Sequence, residues 1–105
     1  MKPSCDVVVI GSSNIDMTVR CRELPLPGQT IMGHDLVMNP GGKGANQAVA
    51  AAKLGARTQL VARLGNDAFG EASMESFRAA GLGSDFLVPD ETATSGVALI
   101  FGDAQ

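Results

Sequence analysis

A cluster of glycines before an alanine-rich segment constrains the fold of this chain more than any other stretch. Gly41, Gly42 and Gly44 surround Lys43 and lead into residues 43–54, where small apolar residues recur at helical spacing. Glycine permits backbone angles that other residues avoid, and it lets a ligand approach the backbone closely. The pattern predicts a helix over residues 43–54 whose N-terminus lies tightly against its surroundings.

The predicted helix N-terminus has the chemistry of a site for a small polar ligand. The first amide N–H groups of a helix lack intrahelical acceptors, and a partial positive charge accumulates there. Lys43 adds a cationic donor, and Asn46 lies about one turn further on, where it can face the same side. A tight turn followed by a solvated lysine is the alternative interpretation. The phosphate-binding P-loop motif is not matched, because Gly44 rather than Ser or Thr follows Lys43.

A second polar cluster follows the first predicted strand. Residues 7–10 are continuous and β-branched, which predicts a parallel strand buried on both faces. Asn14 and Asp16 follow at its carboxyl end, where open α/β sheets bind their ligands. In extended backbone their side chains point the same way, and an amide beside a carboxylate suits the adjacent hydroxyls of a sugar. An Asx turn that only ends the strand is the alternative.

The rest of the pattern predicts an α/β fold from which a small β flap projects. Asp67 can cap a second helix, and Gly55 and Gly81 can end the two helices. The lone histidine, His34, is expected on the surface of the flap. The predicted strands are 7–10, 17–23, 30–38, 58–64, 84–88 and 95–101, and the predicted helices are 43–54 and 68–80. The buried face predicted for the second helix comprises Phe69, Ala72, Phe77 and Ala80.

Composition argues against several function classes. The 105 residues carry a formal charge of -3 with scattered Lys and Arg, which disfavours nucleic-acid binding. No segment approaches the ~20 apolar residues that cross a bilayer, and the first apolar run is short for a signal peptide. Cys5 and Cys21 are too few for a metal site or a disulfide scaffold, and they predict reduced thiols in a cytoplasmic protein.

Several motifs together resemble the ribokinase-like carbohydrate kinases. They are Asn14-Ile15-Asp16, Pro27-Gly28-Gln29-Thr30, the stretch from Pro40 to Ala52, Gly65-Asn66-Asp67 with Gly70, and Ser95-Gly96-Val97-Ala98-Leu99-Ile100. The resemblance runs along the whole chain and corresponds to the N-terminal third of a typical member. Lys43, Ala45 and Gln47 are similar to the ribose-specific branch rather than to fructokinases or adenosine kinases.

The resemblance implies a partial three-layer α/β/α, Rossmann-like ribokinase fold with a small β-sheet lid. The lid strands would lie near residues 17–23, 30–38 and 95–101, and the lid would pair with that of a second subunit in a homodimer. The implied activity is ATP-dependent phosphorylation of D-ribose at its 5-hydroxyl. Mg²⁺ and a monovalent cation such as K⁺ would take part, bound mostly outside residues 1–105.

By the same resemblance, one half of the kinase machinery lies in this chain. Asn14, Asp16, Gly42, Lys43 and Asn46 would bind the sugar. The catalytic Asp and the nucleotide-binding segments of the family have no match here, so no catalytic residue and no metal ligand is expected, and the chain alone should be inactive. The alternatives are a non-catalytic sugar-binding module, a lid-mediated dimerisation module, or a related sugar or nucleoside kinase.

Overall fold

The chain folds into two β-sheets and two α-helices. The computed structural model describes residues 5–104. Its elements are β1 (Val7–Ile10), β2 (Asn14–Arg20), β3 (His34–Gly41), α1 (Lys43–Lys53), β4 (Thr58–Gly65), α2 (Ala68–Ala79), β5 (Leu87–Asp90) and β6 (Gly96–Gly102). The α/β class predicted from the sequence is therefore confirmed.

The first sheet is parallel and has the strand order β1-β4-β5. Strand β1 begins its pairing with β4 at Val7 and Thr58, and β5 begins its pairing with β4 at Ala62 and Leu87. Pro89 lies inside β5, one residue beyond the end of the strand predicted over residues 84–88. A proline is compatible with this position because β5 is an edge strand of the described sheet.

Both helices pack on the same face of this sheet. The buried cluster between helices and strands comprises Ala45, Ala48, Leu60, Ala62, Leu64, Phe77, Leu82 and Leu87, with Val9, Val49, Ala52 and Met74 packed against it. The small residues predicted for the buried face of α1 are thus found there. They let α1 lie close to β4, which fixes the position of the helix N-terminus.

The other face of the parallel sheet is open within residues 5–104. Val8 and Ile10 are 53% and 80% exposed, whereas Val9 between them packs on the core. The prediction that β1 is buried on both faces is therefore wrong for the described residues. The reason is that α1 and α2 cover one face only, so alternate side chains of β1 point away from them.

The second sheet has the strand order β3-β2-β6 and forms the predicted flap, which we call the lid sheet. Strand β2 pairs antiparallel with β3 and parallel with β6. The strands begin at Asn14, His34 and Gly96 rather than at residues 17, 30 and 95. His34 is exposed, as expected from the sequence.

Local rules placed the helix ends correctly, but they misplaced one helical face. Gly55 and Gly81 follow the two helices with φ of 98° and 87°, and Asp67 caps α2 by accepting the N–H of Gly70 at 2.8 Å. Helix α2 buries Gly70, Ser73 and Phe77, whereas Ala72, predicted on the buried face, is exposed. The buried face of α2 differs from the predicted one because Gly70 lies against the Gly65 carbonyl oxygen, where any Cβ would overlap.

The described chain is flat, with principal extents of 60 × 32 × 18 Å. The smallest extent accommodates one sheet with one layer of helices, because packed layers lie about 10 Å apart. Neither α1 nor α2, the helices found within residues 5–104, is long and apolar enough to cross a membrane.

Two carboxylates, those of Asp6 and Asp90, bind backbone and side-chain donors where strands begin and end. Asp6 accepts hydrogen bonds from the Arg57 side chain and backbone, and these lower the pKa of Asp6. Asp90 accepts the N–H groups of Ala93 and Thr92, the Thr92 hydroxyl and the Arg63 guanidinium, which strongly lower the pKa of Asp90. The ordinary pKa of these carboxyl groups is 3.8.

These lowered pKa values predict a loss of stability in acid. A carboxylate whose pKa is lower in the folded state stabilises the fold above its unfolded pKa, and the contribution disappears as the pH falls towards the folded pKa. We expect the urea midpoint of the full-length protein to vary little from about pH 7 to 5 and to fall between about pH 5 and 2. Asp90→Asn should reduce this fall, and a fall unaltered by the substitution would contradict the role assigned to Asp90.

Candidate functional site

The N-terminus of α1 is pressed against the connection between β1 and β2. A Cβ added to Gly44 would lie 2.7 Å from the Gly11 Cα and 2.9 Å from the Gly11 carbonyl carbon. The Ala45 N–H donates to the Ser12 carbonyl oxygen at 3.1 Å. Gly44 is thus required by contact between two backbone segments, and it does not open space for a ligand as the sequence suggested.

Gly42 brings the start of α1 beside the start of β2. Its φ of 100° is in the left-handed region that favours glycine, and it precedes α1 without any side-chain cap. A Cβ at Gly42 would lie 2.5 Å from the Ser12 carbonyl oxygen and 3.1 Å from Asn14 Oδ1. The Ala45 and Asn46 N–H groups donate to the carbonyl oxygens of Ser12 and Gly42, so two donors of the first turns of α1 are already used within the protein.

Asn14 and Asp16 lie on one face of β2 and bind each other. The Asn14 Nδ2 donates to Asp16 Oδ1 at 2.8 Å. The two residues are in extended backbone, so the prediction that they point the same way is confirmed and the Asx-turn alternative is wrong. The Asp16 carboxylate lies directly over Gly41, where a Cβ would be 2.6 Å from the Asp16 Cγ. Buried Gly41 therefore provides the space that the carboxylate occupies.

The lid sheet surrounds this pair with small cross-strand neighbours. Asn14 is paired with Gly41 on β3 and with Gly96 on β6, so glycine flanks it on both sides. Asp16 is paired in the same way with Asn39 and Ala98. Cross-strand partners point to the same face of a sheet, so this face of the lid presents polar groups among small residues. Sequence analysis missed the neighbouring position of Gly96.

Lys43 and Asn46 border this cluster without binding it. Both are exposed in the first turns of α1, and within residues 5–104 no hydrogen bond joins either side chain to Asn14 or Asp16. Asn46 lines an open depression of 350 Å³ together with Asn39, the cross-strand partner of Asp16. Of the five predicted site residues, Asn14, Asp16 and Gly42 thus lie next to one another. Lys43 and Asn46 lie in the first turns of α1.

The cluster has the chemistry of recognition rather than of bond breaking. It offers a carboxylate, an amide and a lysine beside the N-terminus of a helix, and these groups can donate and accept several hydrogen bonds. Within the described residues, no group of three or more His, Cys, Asp or Glu side chains could hold a metal ion. A larger depression of 630 Å³ lies beside α2, lined by Leu64, Asn66, Met74, Glu75, Arg78 and Pro89. It is separate from the cluster at Asn14 and Asp16.

Comparison with known proteins gives relatives along the whole described chain. A family model described as pfkB family carbohydrate kinase matches residues 5–105. The ribokinase of Bacillus subtilis (strain 168) is 40% identical over 101 residues, covering 93% of this chain and 34% of the relative. The deoxyribokinase of Salmonella typhi is 34% identical over 100 residues, covering 95% of this chain and 33% of the relative. The chain thus spans about a third of the length of these curated relatives.

A solved structure gives the same relationship in three dimensions. The structure of Arabidopsis thaliana ribokinase complexed with ribose and ATP superposes with a TM-score of 0.86 at 36% identity. The match covers 94% of this chain and 32% of that chain. The arrangement of the two sheets and the two helices described above is therefore that of the N-terminal part of a ribokinase-type structure.

Proposed function

Because the chain belongs to the pfkB family of carbohydrate kinases, we propose that the protein that carries it phosphorylates D-ribose at the 5-hydroxyl, using ATP. The observation that carries the proposal is the Asn14–Asp16 pair, hydrogen bonded at 2.8 Å and set over the glycines that precede α1. The similarity to ribokinases, one of which was solved with ribose and ATP, supports the choice of substrate and nucleotide.

The proposed sugar site consists of Asn14, Asp16, Gly42, Lys43 and Asn46. Asp16 keeps one carboxylate oxygen beyond the one that binds Asn14, so it can accept hydrogen bonds from adjacent sugar hydroxyls. The backbone at Gly42 allows close approach, and Lys43 and Asn46 supply donors from the start of α1. These residues would position the sugar for phosphoryl transfer, which depends mostly on positioning and on charge stabilisation.

The chemical step requires groups beyond this cluster. The ribose 5-hydroxyl oxygen forms a bond to the γ-phosphorus, the bond to the β,γ-bridging oxygen breaks, ADP leaves, and a base accepts the hydroxyl proton. By the family resemblance, a catalytic Asp and the nucleotide site lie outside residues 1–105. By the same resemblance, Mg²⁺ and a monovalent cation such as K⁺ are bound mostly outside these residues. We therefore propose that residues 1–105 alone are inactive.

The decisive experiment is to follow phosphoryl transfer by the full-length protein with ³¹P NMR. With ATP and D-ribose, the expected result is one new phosphomonoester signal together with ADP. Parallel reactions contain 2-deoxy-D-ribose, D-fructose or adenosine. A preference for 2-deoxy-D-ribose would favour a deoxyribokinase, and a lack of transfer to any sugar would contradict the proposal.

We also propose that the protein is a cytoplasmic homodimer joined through the lid. The lid face opposite to Asn14 and Asp16 carries a cross-strand row of Met17, Met38 and Leu99, and Met38 and Leu99 are 45% and 63% exposed. Apolar rows of this kind are typical of protein contacts. Both described cysteines are free, which agrees with a reducing compartment. Sedimentation equilibrium of the full-length protein at micromolar concentration should give the mass of a dimer.

A further inference from the structure

Asp67 binds two separate parts of the chain. As the cap of α2, its Oδ1 accepts the Gly70 N–H at 2.8 Å. The same carboxylate also binds Ser95, which lies between β5 and β6: Oδ2 accepts the Ser95 N–H at 2.8 Å, and Oδ1 accepts the Ser95 hydroxyl at 2.7 Å. Capping alone therefore does not explain this residue, because two of its three hydrogen bonds go to a segment distant in sequence.

Two glycines create the space for this link. A Cβ on Gly65 would overlap the Ser95 amide nitrogen and would lie 2.6 Å from Asp67 Oδ2. Gly70 lies in turn against the Gly65 carbonyl oxygen. The end of β4, the first turn of α2 and the residue before β6 are thus packed on one another, with the carboxylate between them. The three hydrogen bonds lower the pKa of Asp67, those from Ser95 most, so the group is ionised near neutral pH.

The link ends one residue from the proposed sugar site. Ser95 immediately precedes Gly96, and Gly96 opens the pairing of β6 with β2 opposite Asn14. A Cβ on Gly96 would lie 3.4 Å from the Asn14 Cβ, so the two residues are in contact on the face that carries Asp16. The position of the Ser95 backbone therefore determines how closely β6 approaches Asn14.

From this geometry we propose that Asp67 is a positioning residue of the sugar site, which it acts on through Ser95 and Gly96. It fixes the first residue of β6 to the first turn of α2 and thereby holds the lid sheet at the angle that places Asn14 and Asp16. The inference rests on the proposed function, because it assigns those two side chains to the sugar. A cap that only stabilises α2 is the competing explanation, and the two explanations predict different kinetics.

The test uses Asp67→Asn in the full-length protein. Asparagine caps helices as well as aspartate, so its Oδ1 still accepts the Gly70 N–H. Its Nδ2 then faces the Ser95 N–H. Two donors therefore face each other at the position where the carboxylate of Asp67 accepts a hydrogen bond. We expect KM and Kd for D-ribose to rise about fivefold to tenfold, which is less than for the loss of a charge-assisted bond made directly to the sugar, because Asp67 acts through Ser95 and Gly96. The kcat and the KM for ATP should change less than about twofold.

Asp6→Asn is the matched control. Asp6 also accepts a backbone N–H, that of Arg57 at 2.9 Å, together with a guanidinium, but it precedes β1 at the opposite end of the parallel sheet. It should leave the ribose KM unchanged when both variants are assayed well below their melting temperatures. Ser95→Ala, which removes only the hydroxyl bond, should raise the KM less than Asp67→Asn does.

Hydrogen exchange and ribose binding separate the possible failures. In Asp67→Asn, faster amide exchange over residues 95–98 with weaker ribose binding supports the inference. Faster exchange with unchanged ribose affinity overturns the inference and leaves the proposed function intact. A rise of the ribose KM in Asp6→Asn equal to that in Asp67→Asn has the same meaning. If the unmodified protein binds no ribose by calorimetry, the proposed function itself is overturned, and the positioning role is overturned with it.

Discussion

Replacing Asp16 by alanine in the full-length protein should weaken D-ribose binding by about 30-fold or more. A hydrogen bond to a charged group is worth roughly 2 kcal/mol, and Asp16 accepts at least one from the sugar in the proposed site. The substitution also leaves Asn14 Nδ2 without the acceptor that it has at 2.8 Å, so the amide loses its fixed orientation. Isothermal titration calorimetry with D-ribose in the absence of nucleotide measures the effect without involving the chemical step.

Thr18→Ala controls for damage to the lid strand. Thr18 is on the same face of β2, two residues beyond Asp16. It is paired with Val37 and Ile100, whereas Asp16 is paired with Asn39 and Ala98. Its replacement should change the ribose affinity by less than about threefold, as for surface substitutions away from a site. Unchanged affinity in Asp16→Ala would remove Asp16 from the site. An equal loss in both variants would assign the effect to the lid sheet as a whole.

Gly44→Ala should destabilise the full-length protein by about 3 kcal/mol, because it overpacks a rigid contact. The added methyl group would meet only backbone: the Gly11 Cα at 2.7 Å, the Gly11 carbonyl carbon at 2.9 Å and the Ser12 nitrogen at 3.0 Å. Backbone atoms cannot rotate away as a flexible side chain can, so α1 must shift. The shift would also move Gly42 and Lys43, and ribose affinity should fall together with the urea midpoint.

Gly102→Ala is the appropriate comparison for this substitution. Gly102 is the last residue of β6, and a Cβ there would have no heavy atom within 4 Å. Its replacement should change the free energy of unfolding by less than about 0.5 kcal/mol. If Gly44→Ala proves as stable as Gly102→Ala, the contact between the two backbone segments does not constrain the start of α1.

The features that sequence analysis located correctly depend on local rules. The twofold repeat of extended backbone is enough to place Asn14 and Asp16 on one face, provided that the segment is a strand. Capping chemistry identified Asp67, and the left-handed backbone at helix ends identified Gly55 and Gly81. Each of these predictions requires only a few neighbouring residues, so no knowledge of the tertiary structure was needed.

The features that were missed depend on distant pairing. Nothing near Gly96 indicates that it adjoins Asn14, because parallel strands have no short turn to set their register. The two bonds from Ser95 to Asp67 follow from the same pairing, so the sequence indicates only the capping role of Asp67. Gly44 was interpreted as open space for a ligand, since its contact with Gly11 joins segments that are remote in the sequence.

The pairing of β2 with β6 also has a consequence for the order in which the protein is made. About 80 residues separate Asn14 from its partner Gly96, which corresponds to roughly 4 to 16 s of synthesis at 5–20 residues per second. Throughout that interval β2 can pair with β3 but keeps one edge unpaired, and such an edge is a template for aggregation. The proposed sugar site therefore lies on a strand that is synthesised before both of its partners, and its pairing is completed only when β6 emerges.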